Sequence, residues 1–149
     1  MVGTYAKLCA YLVMADPASA VLGIITSITA LLELLKNVTK FIREIREEDQ
    51  QKRDLLKEIV ATGQVLQELE RKAKSPEWEN TVRSMNRSDG PLDLLKSALE
   101  TLKVKLRPGD TPLANFTNRI LWYFEKGEYE EILSKIERGK ATLSLILDL

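Results

Sequence analysis

Eight aliphatic residues, Val21, Ile24, Ile28, Leu31, Leu35, Val38, Ile42 and Ile45, follow one another in alternating steps of three and four. That spacing puts all eight on one face of a single long helix. No other feature constrains the fold as much, because a helix with such a stripe must bury it. The two halves of this helix differ. From Ala18 to Leu32 there is no charged residue, whereas Lys36 to Asp49 is densely charged. The first half, with Val21, Leu22, Ile24, Ile25, Ile28, Leu31 and Leu32, is apolar nearly all round, and Leu35 continues it. Such a helix has two fates. It can sit at the centre of a bundle, since an all-round apolar helix is usually buried, or it can leave the bundle and enter a lipid surface. Its uncharged stretch covers only about 22 Å, against a hydrocarbon core of roughly 30 Å, so a conventional transmembrane span is not expected.

A chain of 149 residues is one domain by length and can bury a core without staples. Leu, Ile, Glu, Lys and Arg dominate and the formal net charge is zero, so the chain reads as all-helical and soluble. No bulk electrostatic pull toward nucleic acid is expected. One cysteine, Cys9, and no histidine exclude an internal disulfide, Ser-His-Asp and Cys-His catalysis, and the common zinc sites. Ala18-Ser19-Ala20 imitates a signal-peptidase site, but Asp16-Pro17 interrupts the apolar stretch before it. Residues 1–13 read as an upstream extension or a poorly ordered tail.

The punctuation predicts the remaining helices. Asp16 and Pro17 open the first, which should run to about Glu47. The second spans roughly Gln51 to Lys74, with Leu55, Leu56, Ile59, Val60, Leu66 and Leu69 on its buried face and Gly63 in its middle, where a missing side chain would allow close helix packing. A short helix follows from about Pro76 to Met85. A third long helix opens at Pro91, carries Leu92, Leu95, Leu99, Leu102 and Leu106 inward, and stops at Arg107-Pro108-Gly109. A fourth starts at Thr111-Pro112. The last runs from about Glu128 to the end, where the apolar tail Leu143 to Leu149 reads as a helix continuing in a longer protein. The expectation is an all-α fold: an up-and-down helical bundle of four to five long helices plus one short helix, over residues 14–149.

No catalytic constellation emerges, and neither a cofactor nor a small-molecule substrate is expected. Gly139-Lys140 lacks the first glycine, the following Ser or Thr, and the strand of a phosphate-binding loop. The paired carboxylates sit on charged helix faces, where they read as solvated surface. Lys36, Lys40, Arg43 and Arg46 lie along one side of the first helix. They either pair with Glu44 and Glu47 or, for Lys36, Lys40 and Arg43, meet anionic lipid headgroups. Trp78 and Trp122-Tyr123-Phe124 belong to the core or to a membrane interface.

The residues carry a further resemblance. Met14-Ala15-Asp16-Pro17 before an apolar helix, Gly90-Pro91-Leu92 leading to Lys105-Leu106-Arg107-Pro108, and above all Leu121-Trp122-Tyr123-Phe124-Glu125-Lys126 stand out. So do Ile132-Leu133-Ser134-Lys135-Ile136-Glu137-Arg138 and Leu143-Ser144-Leu145. Together they resemble the pattern of fungal HeLo-like N-terminal domains, over about residues 14 to 149; fungal SesA-type domains end similarly. The motif residues so marked are Trp122, Phe124, Ile136, Glu137 and Arg138. The resemblance implies a helical effector domain of regulated cell death and heterokaryon incompatibility, fronting NOD-like receptors or ankyrin-repeat proteins. Such domains rest in the cytoplasm, self-associate on activation, and disrupt the plasma membrane through their N-terminal helix. The implied partners are membrane lipids, further copies of the chain, and a NACHT or ankyrin sensor region in a longer parent protein.

Overall fold

In a computed structural model, residues 17–45, 48–85, 90–107 and 123–148 are described. They form helices α1 (Pro17–Arg43), α2 (Gln50–Ala73), α3 (Glu79–Met85), α4 (Pro91–Leu106) and α5 (Glu128–Asp148), with a 3-10 turn at Pro76–Trp78 before α3. No strand occurs among the described residues, and the fold is all-α. Residues 1–16, the helix expected from Thr111, Trp122 and the side chain of Val21 lie outside the described residues.

The termini follow local chemistry. Asp49 caps α2 by accepting a hydrogen bond from the Lys52 backbone N–H at 2.9 Å, which satisfies one of the orphan donors of the first turn. Gly90 caps α4 ahead of Pro91, whose missing N–H costs nothing there. α5 opens after Gly127, which adopts φ 82°, a left-handed conformation that a side chain would strain. Its first turn gathers Glu128, Glu130 and Glu131 against the positive end of the helix dipole.

Four helices make the principal contacts, in the pairs α1–α2, α2–α5, α5–α4 and α4–α1, and α3 packs on α1. Side-chain contacts give the directions. The Thr29 hydroxyl lies 3.2 Å from the Glu70 carboxylate and the Lys52 amine donates to the Ile45 carbonyl, so α1 and α2 run antiparallel. Lys105 pairs with Glu128 at 3.0 Å while Gly139 lies against Leu95, so α4 and α5 are antiparallel too. Tyr129 meets Gln51, Lys140 meets Glu58 and Lys72 meets Leu147, so α2 and α5 run the same way. α1 and α4 therefore also run parallel.

The core draws on every long helix. Of the first stripe, Ile24, Ile28, Leu31, Leu35, Val38, Ile42 and Ile45 are all buried, against Leu55, Ile59, Leu66, Leu69, Leu95, Leu99, Leu102 and Ile136. Three details depart from the sequence reading. α1 ends at Arg43 rather than near Glu47. Val60 is 47% exposed, and Thr62 is fully buried in its place, its hydroxyl donating to the Glu58 carbonyl at 2.8 Å. Internal satisfaction of that hydroxyl removes the usual cost of burying it. Gly63 meets only Leu35 at an ordinary 3.9 Å, so it is not needed for close packing. The glycine that is needed is Gly139. A Cβ there would stand 2.7 Å from Leu95 Cγ and 3.4 Å from the Pro91 carbonyl. The Gly139-Lys140 pair thus has a packing reason: it lets α4 and α5 approach.

Candidate functional site

α1 is buried on one side only. Its partners among the described residues are α2, α3 and α4. Ile24, Ile28, Leu31 and Leu35 face the core, and Ile25 and Leu32 are half-buried against it. The opposite side exposes Leu22, Gly23, Thr26, Ser27, Thr29 and Ala30, and Leu22 is 64% exposed. This correction to the all-round apolar reading matters chemically. The outward face is uncharged, and apart from Leu22 it is made of small residues and hydroxyls.

Those hydroxyls are largely spoken for within the helix. Thr26 donates to the Leu22 carbonyl and Thr29 to the Ile25 carbonyl, both at 2.9 Å, and Thr39 to the Leu35 carbonyl at 2.7 Å. A threonine that bonds the carbonyl one turn back presents its methyl group outward and brings no unsatisfied donor into an apolar medium. Among the described residues one stretch is long and apolar enough to cross a membrane, the 22 residues from Leu22 to Arg43. At about 1.5 Å per residue it spans roughly 33 Å. The core helix of a soluble protein passes the same test.

At its far end α1 turns basic. Lys36, Lys40 and Arg43 are all exposed. Among the described residues no carboxylate stands within ion-pair distance of any of them, Glu44 included; Glu47 lies outside the described residues. The described family-motif positions scatter. Ile136 is buried, Glu137 and Arg138 are exposed, and Phe124 packs edge-on to Tyr129 with ring centroids 5.6 Å apart. They do not converge on one site.

Beside the uncharged face of α1 lies a groove of about 550 Å³, shared with α4. Leu31, Leu34, Met85 and Leu92 are its apolar lining. Thr26, Ser27, Ala30, Glu33 and Asn37 line it from α1, and Asp93, Lys96, Glu100 and Lys103 from α4. Asp93, Lys96 and Glu100 escaped the sequence reading, which took Lys103 only as part of the basic end of the helix. Their signal was present as alternating sign at helical spacing, but the same pattern is the ordinary dress of a solvated helix.

The C-terminal end of α1 is fixed by a polar corner. Lys52 is 3% exposed; its amine donates to the Ile45 carbonyl at 2.6 Å and to the Glu48 carboxylate at 2.5 Å. Arg53 donates to the Glu48 carbonyl at 2.7 Å. The Tyr129 hydroxyl donates to the Gln51 carbonyl at 3.0 Å. Burial pushes that phenol up to about 12, with the carboxylates of Asp54 and Asp49 adding to the shift. At the other end, Lys72 caps α5 by donating to the Leu147 carbonyl at 3.1 Å and lies 4.7 Å from the ring centre of Trp78. The apolar tail that reads as continuing in a longer protein is mostly packed over its described residues: Leu143 is buried, Ile146 and Leu147 rest on the core, and Leu145 is exposed. Among the described residues no group of acidic, Cys or His side chains is placed to hold a metal ion.

Comparison with family models, with curated proteins and with solved structures finds no match in any of the three.

Proposed function

We propose that this chain is a membrane-acting effector module of the HeLo-like kind: an up-and-down helical bundle at rest, from which α1 is released on activation. The alternating directions of α1, α2, α4 and α5 along the chain support the bundle reading. The released Leu22 to Leu35 would enter the bilayer, with Lys36, Lys40 and Arg43 held at the headgroups. Each such cation is worth about 1 kcal/mol near an anionic surface. The resting form would be cytoplasmic and the active form would sit at the plasma membrane, gathered into oligomers by a sensor region of a longer parent protein. One observation carries the reading: the N-terminal half of α1, from Leu22 to Leu32, has no charged residue and exposes Leu22, Gly23, Thr26, Ser27, Thr29 and Ala30.

The test is dye release from anionic liposomes by the full chain, compared with the double variant Thr26→Glu/Ala30→Glu. Both positions are exposed, so the helical fold should survive. Two carboxylates at mid-helix oppose insertion by about 2.5–3.5 kcal/mol each. Leakage by the parent and its loss in the folded variant is the expected result. Equal leakage by both would overturn insertion through α1.

A second reading, an interaction domain without membrane activity, is favoured by the groove between α1 and α4. It predicts self-association or partner binding in lipid-free solution and no leakage from any vesicle.

A further inference from the structure

We propose that the outward face of α4 is a self-association surface on which a second copy of this chain docks antiparallel. Asp93, Lys96, Glu100 and Lys103 are all exposed. At about 100° per residue they fall within roughly a quarter of the helix circumference. Along the axis their signs alternate: negative, positive, negative, positive. The order is also symmetric in a specific sense. Asp93 with Lys103, and Lys96 with Glu100, share one midpoint, at Ala98. A two-fold axis through that point, perpendicular to α4, sets every charge of one copy against an opposite charge of the other. Asp93 meets Lys103 of the second copy, Lys96 meets its Glu100, and both contacts recur by symmetry. An isologous interface has this self-complementary form. Parallel docking in register would set like against like at all four positions, so the pattern selects the antiparallel arrangement.

Two further observations support the assignment. On an isolated helix Lys96 and Glu100, four residues apart, would ordinarily pair with each other. Here none of the four charges takes part in an ion pair among the described residues, and each is left to an outside partner. The ladder also borders the groove whose floor includes Leu31, Met85 and Leu92. On the other side of the ladder Val104 is 68% exposed. A docked helix would cover both. Ser97, small and exposed, is next to the symmetry point and permits close approach. This surface acts in solution and owes nothing to α1 leaving the fold, so its fate and that of the membrane reading are separable.

The test is sedimentation of the full chain without lipid, with two charge-reversed variants. Lys96→Glu/Lys103→Glu makes the ladder wholly negative, and Asp93→Lys/Glu100→Lys makes it wholly positive. The parent is expected to form dimers at about 0.1 M salt and to lose them toward 1 M, where the screening length falls from about 10 to about 3 Å. Each variant alone should associate at least about tenfold more weakly than the parent, and an equimolar mixture should recover the dimer. Circular dichroism should be unchanged, since all four positions are exposed. Should a double variant lose helicity, Lys96→Glu alone should still weaken the dimer. A parent that stays monomeric at about 0.5 mM overturns the assignment, since contacts too weak to show there are weaker than millimolar-range binding. So does a reversed variant that dimerises as tightly as the parent, or a mixture that stays monomeric.

Discussion

The two halves of α1 share one inner face and have opposite outer faces. From Leu22 to Leu32 the helix buries Ile24, Ile28 and Leu31 and shows water Leu22, Gly23, Thr26, Ser27, Thr29 and Ala30. From Glu33 to Arg43 it buries Leu35, Val38 and Ile42 and shows Glu33, Lys36, Lys40 and Arg43. The inner stripe runs unbroken through both, so core packing does not explain the change outside. The ends differ as well. The charged half leads into the corner pinned by Lys52 and Asp49, while the uncharged half borders a groove. A helix fastened at one end and lightly dressed at the other is suited to part from its neighbours at the light end first. This asymmetry is the structural basis of the membrane role proposed above.

The largest effects test whether the inner face is one stripe. Ile28→Ala and Ile42→Ala should each cost about 2–4 kcal/mol in denaturant unfolding, because both side chains are fully buried. A near-zero cost at Ile28 alone would break the comparison, since the uncharged half would then not be core.

Alkaline pH probes the pinned corner. The Tyr129 phenol ionises near 12 in the folded chain and near 10 when unfolded. The unfolded state therefore releases its proton first as pH rises. Stability contributed by the neutral phenol is complete below about pH 10 and falls through the window up to about 12, by roughly 2–3 kcal/mol in all. Unfolding of Tyr129→Phe should lose less over that window; an identical pH profile would show that the phenol is not desolvated.

Gly139→Ala should cost about 1–3 kcal/mol by forcing α4 and α5 apart. Lys52→Ala should cost a similar amount, since it strips the buried Ile45 carbonyl of its donor. Lys40→Ala, on the exposed side of the same charged half, should fall within about 0.5 kcal/mol of the parent. Equal costs for Lys52→Ala and Lys40→Ala would show that the corner does not fasten α1.

Much of the helix pattern could be read from residues alone. The stripe of α1, the opening of α4 at Pro91, its stop at Arg107 and the start of α5 at Glu128 are local signals, set by side-chain period and by Pro and Gly. What local signals omit is which neighbour a face meets. Val60 and Thr62 sit two residues apart on α2, and only the position of the adjoining helices decides that the threonine goes inside. Lys52 belongs to a first turn full of charges, and its burial follows from the path of the chain at Ile45, not from its neighbours in sequence. The α4 ladder has the same character. Its alternating signs are plain in the sequence, but that they stand outward together and unpaired is a fact of packing.

The buried amine of Lys52 also makes the α1–α2 corner chemically addressable. Acylating reagents modify lysines only where the free amine meets solvent. Lys36, Lys40, Lys57 and Lys103 are exposed and should react at once. Lys52 is shielded for as long as the corner is shut, so the time course of its labelling, read peptide by peptide in a mass spectrometer, would clock how often that hinge opens.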